Sequence, residues 1–222
     1  MNHVEQQLVS IPAGLVWLEG NLSVPSGARG VVLFAHGSGS SRHSPRNRYV
    51  AEQLQRAGLA TLLMDLLSVE EEAEDRTSGH LRFDIPMLAQ RLGLVTDWLR
   101  QNPSTSEMKI GYFGASTGAG AALLSAADRP GEIGAIVSRG GRPDLAGNAL
   151  QRVTAPTLLI VGGNDEPVIR LNQVAMEKMH AEKKLEVIPD ATHLFEEPGT
   201  LEQVARLAQG WFGRYLVPAS ES

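Results

Sequence analysis

Short, nearly unbroken apolar runs, spaced apart by amphipathic stretches, constrain this chain more than any other feature. They are Val31–Ala35, Leu59–Met64, Ile110–Phe113, Ile133–Val137 and Thr157–Val161, with Leu185–Ile188 a weaker sixth. A strand covered on both faces reads this way because neither side meets water. The stretches between carry helical spacing. Ile85, Leu88, Leu92, Val95 and Leu99 recur at steps of three and four behind Asp84 as N-cap and Pro86 in the first turn. Leu201, Val204, Leu207, Trp211 and Tyr215 form one face of a last helix, with Thr200 read as its N-cap. Alternation of this kind specifies an α/β fold: a mostly parallel sheet with helices on both faces. Two further strands, Val4–Ile11 and Leu15–Val24, turn at Pro12-Ala13-Gly14 and read as an antiparallel ribbon at the sheet edge, giving eight strands. Trp17, Trp98 and Trp211 fall within these patterns and are expected in the core.

Composition then excludes several classes. At 222 residues with no linker or repeat, one domain over 1–222 is expected. A net charge of -5 argues against a nucleic-acid partner. The chain has no cysteine, which removes disulfides, a cysteine nucleophile and thiolate metal sites. Met1–Gln7 lacks the signature of a signal peptide, and no run approaches the roughly 20 apolar residues of a membrane span. A cytoplasmic chain without a membrane partner is the expectation; oligomeric state stays open.

Active sites in such sheets lie beyond the carboxyl ends of the strands. The loop after Phe113 reads Gly114-Ala115-Ser116-Thr117-Gly118 and leads into small residues. G-x-S-x-G between strand and helix forces a sharp turn that thrusts the serine hydroxyl outward; by itself the pattern could be an ordinary Gly/Ser turn. A serine needs a base, and the base an orienting group. Asp165 follows the Thr157–Val161 run and His193 follows Leu185–Ile188. Taken singly they could be a cap and a surface loop histidine, but Ser116, Asp165, His193 is the order this topology imposes. Glu166 and Asp190 are weaker candidates for the acid. His3, His43, His80 and His180 read as structural or solvated. After Ala35 comes His36-Gly37-Ser38-Gly39, whose backbone, with that of Thr117, can offer N–H groups to an oxyanion; Ser38 and Thr117 are the candidate donors. Neither G-x-G-x-x-G nor G-x-x-x-x-G-K-[ST] occurs at that turn, which disfavours a nucleotide site.

With Phe34–Gly39, Gly114–Gly118, Gly163-Asn164-Asp165 and Ala191–Phe195 assembled, the chain resembles an α/β-hydrolase, and within that fold the dienelactone hydrolase family. The resemblance runs from about residue 4 to 216. It departs at the nucleophile, which is cysteine in dienelactone hydrolases proper and serine at 116 here, so it implies a general esterase and not the family's name substrate. Ser138–Leu145 also looks like hydrolase modules sometimes joined to a phosphoribosyltransferase-like domain, and no such domain is expected within these residues. Many α/β-hydrolases insert a lid after the sixth strand. Only about 18 residues, Ser138 to Ala155, are available there, so no substantial lid domain and an open site for small substrates are expected.

Arg139 and Arg142 leave the sixth strand at the catalytic edge and are candidate readers of a substrate carboxylate or phosphate; paired with loop carbonyls or Asp144 they would be structural instead. Arg42, His43, Arg46 and Arg48 form a basic cluster beyond the oxyanion loop, and Glu70–Asp75 reads as a solvated acidic face. No metal-ligand spacing appears, and no cofactor is implied. The expected function is hydrolysis of small-molecule carboxylic esters. Thioester, amide or peptide cleavage and acyl transfer by the same residues are alternatives, as is a binding module without turnover.

Overall fold

A computed structural model describes residues 4–217. The chain runs β1 (Val4–Ala13), β2 (Val16–Pro25), β3 (Gly30–Ala35), α1 (Pro45–Arg56), β4 (Ala60–Met64), α2 (Val69–Ser78), α3 (Ile85–Gln101), β5 (Lys109–Ala115), α4 (Thr117–Ala127), β6 (Ile133–Arg139), β7 (Thr157–Gly162), α5 (Glu166–Lys178), β8 (Lys183–Ile188) and α6 (Thr200–Leu216). The strands form one sheet in the order β1-β2-β4-β3-β5-β6-β7-β8. β1 with β2 and β2 with β4 are antiparallel; every other pairing is parallel. The eight-stranded α/β architecture read from the apolar runs is the one observed.

The interior strands are buried from end to end, as continuous apolar runs require. Val32, Phe34, Phe113, Val137 and Ile160 face α1 and α6 on one side. Val31, Leu33, Ile110, Tyr112 and Ile136 face α3 and α4 on the other. Burial of Ile85, Leu88, Leu92, Val95 and Leu99 follows the predicted stripe of α3, and Asp84 caps it by accepting from the Met87 N–H at 3.0 Å. Between β6 and β7 the chain makes a 3-10 segment, Pro143–Arg152, and no helical lid.

Three expectations change. Trp17 is 63% exposed, and Leu15 is exposed with it. On β2 the buried face is carried by Leu18 and Leu22, one residue out of phase with Trp17, and a strand's face flips with every residue. Gly199, with φ 81°, is the N-cap of α6; Thr200 is its first residue, and its hydroxyl donates to the Glu197 carbonyl at 2.7 Å. The acidic run is not wholly solvated. It forms α2, with a Ser68–Glu71 capping box, and Asp75 is fully buried, accepting from the Leu81 N–H at 2.6 Å and Arg82 Nε at 2.5 Å. Burial would raise the Asp75 carboxyl pKa, but Arg82 and those amides hold it below its ordinary value. His3 lies outside the described residues.

Candidate active site

The turn from β5 into α4 holds Ser116 at φ 49°, ψ -121°. That backbone is unfavourable for a residue with a side chain and persists only where surroundings over-determine it. Here the surroundings are tight. A Cβ on Gly114 would collide with Ala119 Cα, and one on Gly118 with the carbonyls of Ala35 and His36. Both glycines of the pattern are thus required by close backbone approach. The Ser116 N–H donates to the Arg139 carbonyl at 3.2 Å, and its own carbonyl accepts from the Arg142 N–H at 3.0 Å. The exit loop of β6 therefore clamps the serine from one side.

The same exit loop touches the histidine. A Cβ placed on Gly140 would lie 3.4 Å from both Cε1 and Nδ1 of His193. His193 Nδ1 meets Asp165 Oδ2 at 2.6 Å, a charge-assisted length. Asp165 sits at the start of α5 with its side chain largely buried, while the imidazole is 39% exposed toward solvent. Glu166, the rival acid, is exposed and faces Arg170. Ser116 and His193 thus share a wall, Arg139–Arg142, although no hydrogen bond joins Ser116 Oγ to the ring. Catalytic hydrogen bonds are often long in the free enzyme and tighten with substrate.

Opposite that wall, Gly37 faces the serine: a Cβ there would come within 3.1 Å of Ser116 Cβ. The two candidate oxyanion donors are brought together, and the Ser38 N–H is engaged by Thr117 Oγ1 at 2.9 Å. The loop is anchored from below by His36, a residue whose role the sequence did not disclose. Its Nδ1 lies 2.9 Å from the Gly37 carbonyl and its Nε2 accepts from the Leu66 N–H at 3.1 Å. That pair of bonds fits a neutral ring protonated on Nδ1, and burial lowers its pKa. A cleft of about 540 Å³ opens beside this loop, lined among others by Gly39, Ser41, Pro45, Leu67 and Val69.

The two candidate substrate arginines differ. Arg142 is filled by Asp144 through two parallel bonds, Nε to Oδ1 and Nη2 to Oδ2, each 2.8 Å. Arg139 is only 7% exposed, and its side-chain bond is a long 3.3 Å contact from Nη2 to Asn47 Oδ1. In the basic cluster, Arg42 is tied to Asp65 and Glu19, whereas Arg46 reaches Glu196 at 3.1 Å.

These features can be set beside known proteins. The sequence profile of the Dienelactone hydrolase family matches residues 18–212. The chain belongs to the dienelactone hydrolase family. It is 62% identical to the crystal structure of a dienelactone hydrolase from Anabaena variabilis ATCC 29413, over 96% of this chain and 99% of that one, with a TM-score of 0.94. Est1E from Butyrivibrio proteoclasticus shares the fold, with a TM-score of 0.77 at 18% identity over 93% of this chain and 98% of its own. A Mycobacterium tuberculosis protein that carries a provisional name, phosphoribosyl transferase, is 60% identical over 208 residues, or 94% of this chain. The chain spans only 46% of that relative's length. Among the described residues no helix is long and apolar enough to cross a membrane.

Proposed function

We propose that this member of a hydrolase family cleaves carboxylic esters through an acyl-enzyme on Ser116. The observation that carries the reading is the 2.6 Å Asp165–His193 pair held against the same loop that clamps Ser116. His193 Nε2 accepts the Ser116 proton as Oγ bonds to the acyl carbon, and Asp165 fixes the ring and stabilises its cation. Backbone N–H groups of Ser38 and Thr117 receive the oxyanion, the former exchanging Thr117 Oγ1 for it. Collapse breaks the bond to the alcohol, which leaves with the proton from His193. Water, deprotonated by the same ring, then releases the acid and restores the serine. With a 3-10 segment and no helical lid between β6 and β7, the site suits small or solvent-accessible esters.

The transferase name of the mycobacterial relative is assigned here to the part of it that this chain does not span, because the matched 208 residues correspond to the hydrolase fold. The test is steady-state hydrolysis of 4-nitrophenyl acetate and butyrate by the wild-type and Ser116→Ala proteins. Turnover abolished by Ser116→Ala supports the reading; turnover that survives in the variant rejects it.

A further inference from the structure

The exit of β6, Arg139–Arg142, touches the nucleophile at both of its ends. The Arg139 carbonyl accepts from the Ser116 N–H at 3.2 Å, and the Arg142 N–H donates to the Ser116 carbonyl at 3.0 Å. In between, Gly140 lies against the His193 ring, and Gly141 is pressed onto the first turn of α4: a Cβ on it would collide with Ser138 Oγ and Ala119 Cβ. A segment packed this closely has little room to adapt, so whatever fixes its position also fixes Ser116.

The side chain that fixes it is Asn172 of α5. Asn172 is fully buried. Its Nδ2 uses both protons, donating to the Val168 carbonyl one turn earlier at 2.8 Å and to the Gly141 carbonyl at 3.1 Å. Among the described residues no other side chain bonds the backbone of Arg139–Arg142. Because Asp165 is the N-cap of α5, this amide joins the helix that carries the acid to the loop that clamps the nucleophile. Stability alone is poorly served by such a residue. Its Oδ1 is buried without a partner among the described residues, a cost that an apolar side chain of similar size does not carry.

We propose that Asn172 is a positioning residue for Ser116: by holding the Gly141 carbonyl it keeps the clamp closed on the serine and ties that clamp to the helix of Asp165. Ser116 stays at φ 49° only while its surroundings over-determine it. Loss of the Gly141 bond removes one of those constraints without touching the reacting atoms. A misplacement of about 1 Å can cost about 100-fold in rate, so the effect falls on kcat and spares KM. The consequence for rate rests on the serine-hydrolase reading; the consequence for the clamp does not.

The test uses the full chain as wild type and as Asn172→Leu, which keeps the size and removes both donors. Gln173→Leu, at an exposed neighbouring position on α5, is the control. Amide hydrogen exchange reads the clamp directly. Exchange at the Ser116 and Arg142 amides is expected to rise about tenfold in Asn172→Leu and not in Gln173→Leu, while Val32 and Leu33 of β3 keep the wild-type rate. Equal exchange in wild type and Asn172→Leu overturns the proposal, and so does a rise shared by β3, which would mark general loosening. Rates test the consequence. For 4-nitrophenyl acetate, kcat should fall about 10- to 100-fold at unchanged KM, with a fluorophosphonate still labelling every Ser116, only more slowly. An unchanged kcat, or fewer labelled sites at the wild-type rate per site, overturns the positioning role. A loosened clamp in a protein whose wild type neither hydrolyses esters nor labels rejects the serine-hydrolase reading and leaves the role of Asn172 in the clamp standing. Should Asn172→Leu fail to fold, Asn172→Asp carries the comparison through pH. Burial raises the pKa of a carboxyl placed there, and only its protonated form can donate to the Gly141 carbonyl. Its kcat relative to wild type should climb as pH falls from about 8 to about 6; a flat ratio overturns the proposal.

Discussion

Arg91 on α3 and Arg139 at the end of β6 are equally buried, each 7% exposed. Beyond β3 and β4, Arg91 donates to the Leu66 carbonyl at 2.7 Å and to both oxygens of Glu71 at 2.7 and 2.5 Å. Asp75 is satisfied by Arg82, and Asp65 by Arg42. Beyond β5 and β6 the pattern reverses: Arg139 Nε and Ser138 Oγ are buried without partners, and Ser116 is held in strained backbone. The difference separates a half closed by charge pairs from a half left open, with unpartnered polar atoms at the end of β6. In the closed half charge pairs fix α2, although Arg42 Nε stays unpartnered; in the open half Arg142 is filled by Asp144, but Arg139 Nε and Ser138 Oγ are not.

Breaking the open half should damage rate, and breaking the closed half should damage stability. The largest effect is expected for Asp165→Asn, which keeps the shape but loses the carboxylate that sets the tautomer of His193; kcat on a neutral ester should drop by about 10⁴-fold with little change in Tm. Arg91→Met comes next. It strands Glu71 and the Leu66 carbonyl, and urea unfolding should show a loss of about 3 kcal/mol. Arg139→Met sharpens the contrast, because removing an unpaired buried cation should raise stability by about 1 kcal/mol in the same assay. A loss as large as that of Arg91→Met would show that the two arginines do the same work.

Acid tests the closed half through His36. His36 is neutral in the fold and its pKa is lowered from the ordinary 6.5 by burial. The unfolded chain therefore takes up the proton first, so His36's contribution is complete above about pH 6.5 and is lost as pH falls below it, with a slope of at most about 1.4 kcal/mol per unit. A Tm profile from pH 5 to 8 should flatten at its acid end in His36→Gln.

The sheet and its strand ends were legible because full burial writes itself as unbroken apolar runs, and the meeting of Asp165 with His193 because each follows the end of a neighbouring strand. Charge partnering was not. Glu71 and Arg91 are 20 residues apart and Arg139 and Asn47 are 92 apart, so only the folded chain reveals that one arginine is saturated and the other bare. Nor could local pattern decide the face of Trp17, since β2 is polar enough to read in either phase, and the buried phase is set by its pairing with β4 at Gly20–Ser23. The His36 anchor was hidden for the same reason: its partner Leu66 belongs to the next strand's exit loop.

The central claim is that Ser116 is an activated nucleophile. It is tested most directly by treating folded protein with a fluorophosphonate at neutral pH and locating adducts by intact mass and peptide mapping. A single adduct on Ser116, absent from Ser116→Ala and slowed in Asp165→Asn, is the predicted result. No adduct on folded protein, or labelling that persists in Ser116→Ala, would contradict it.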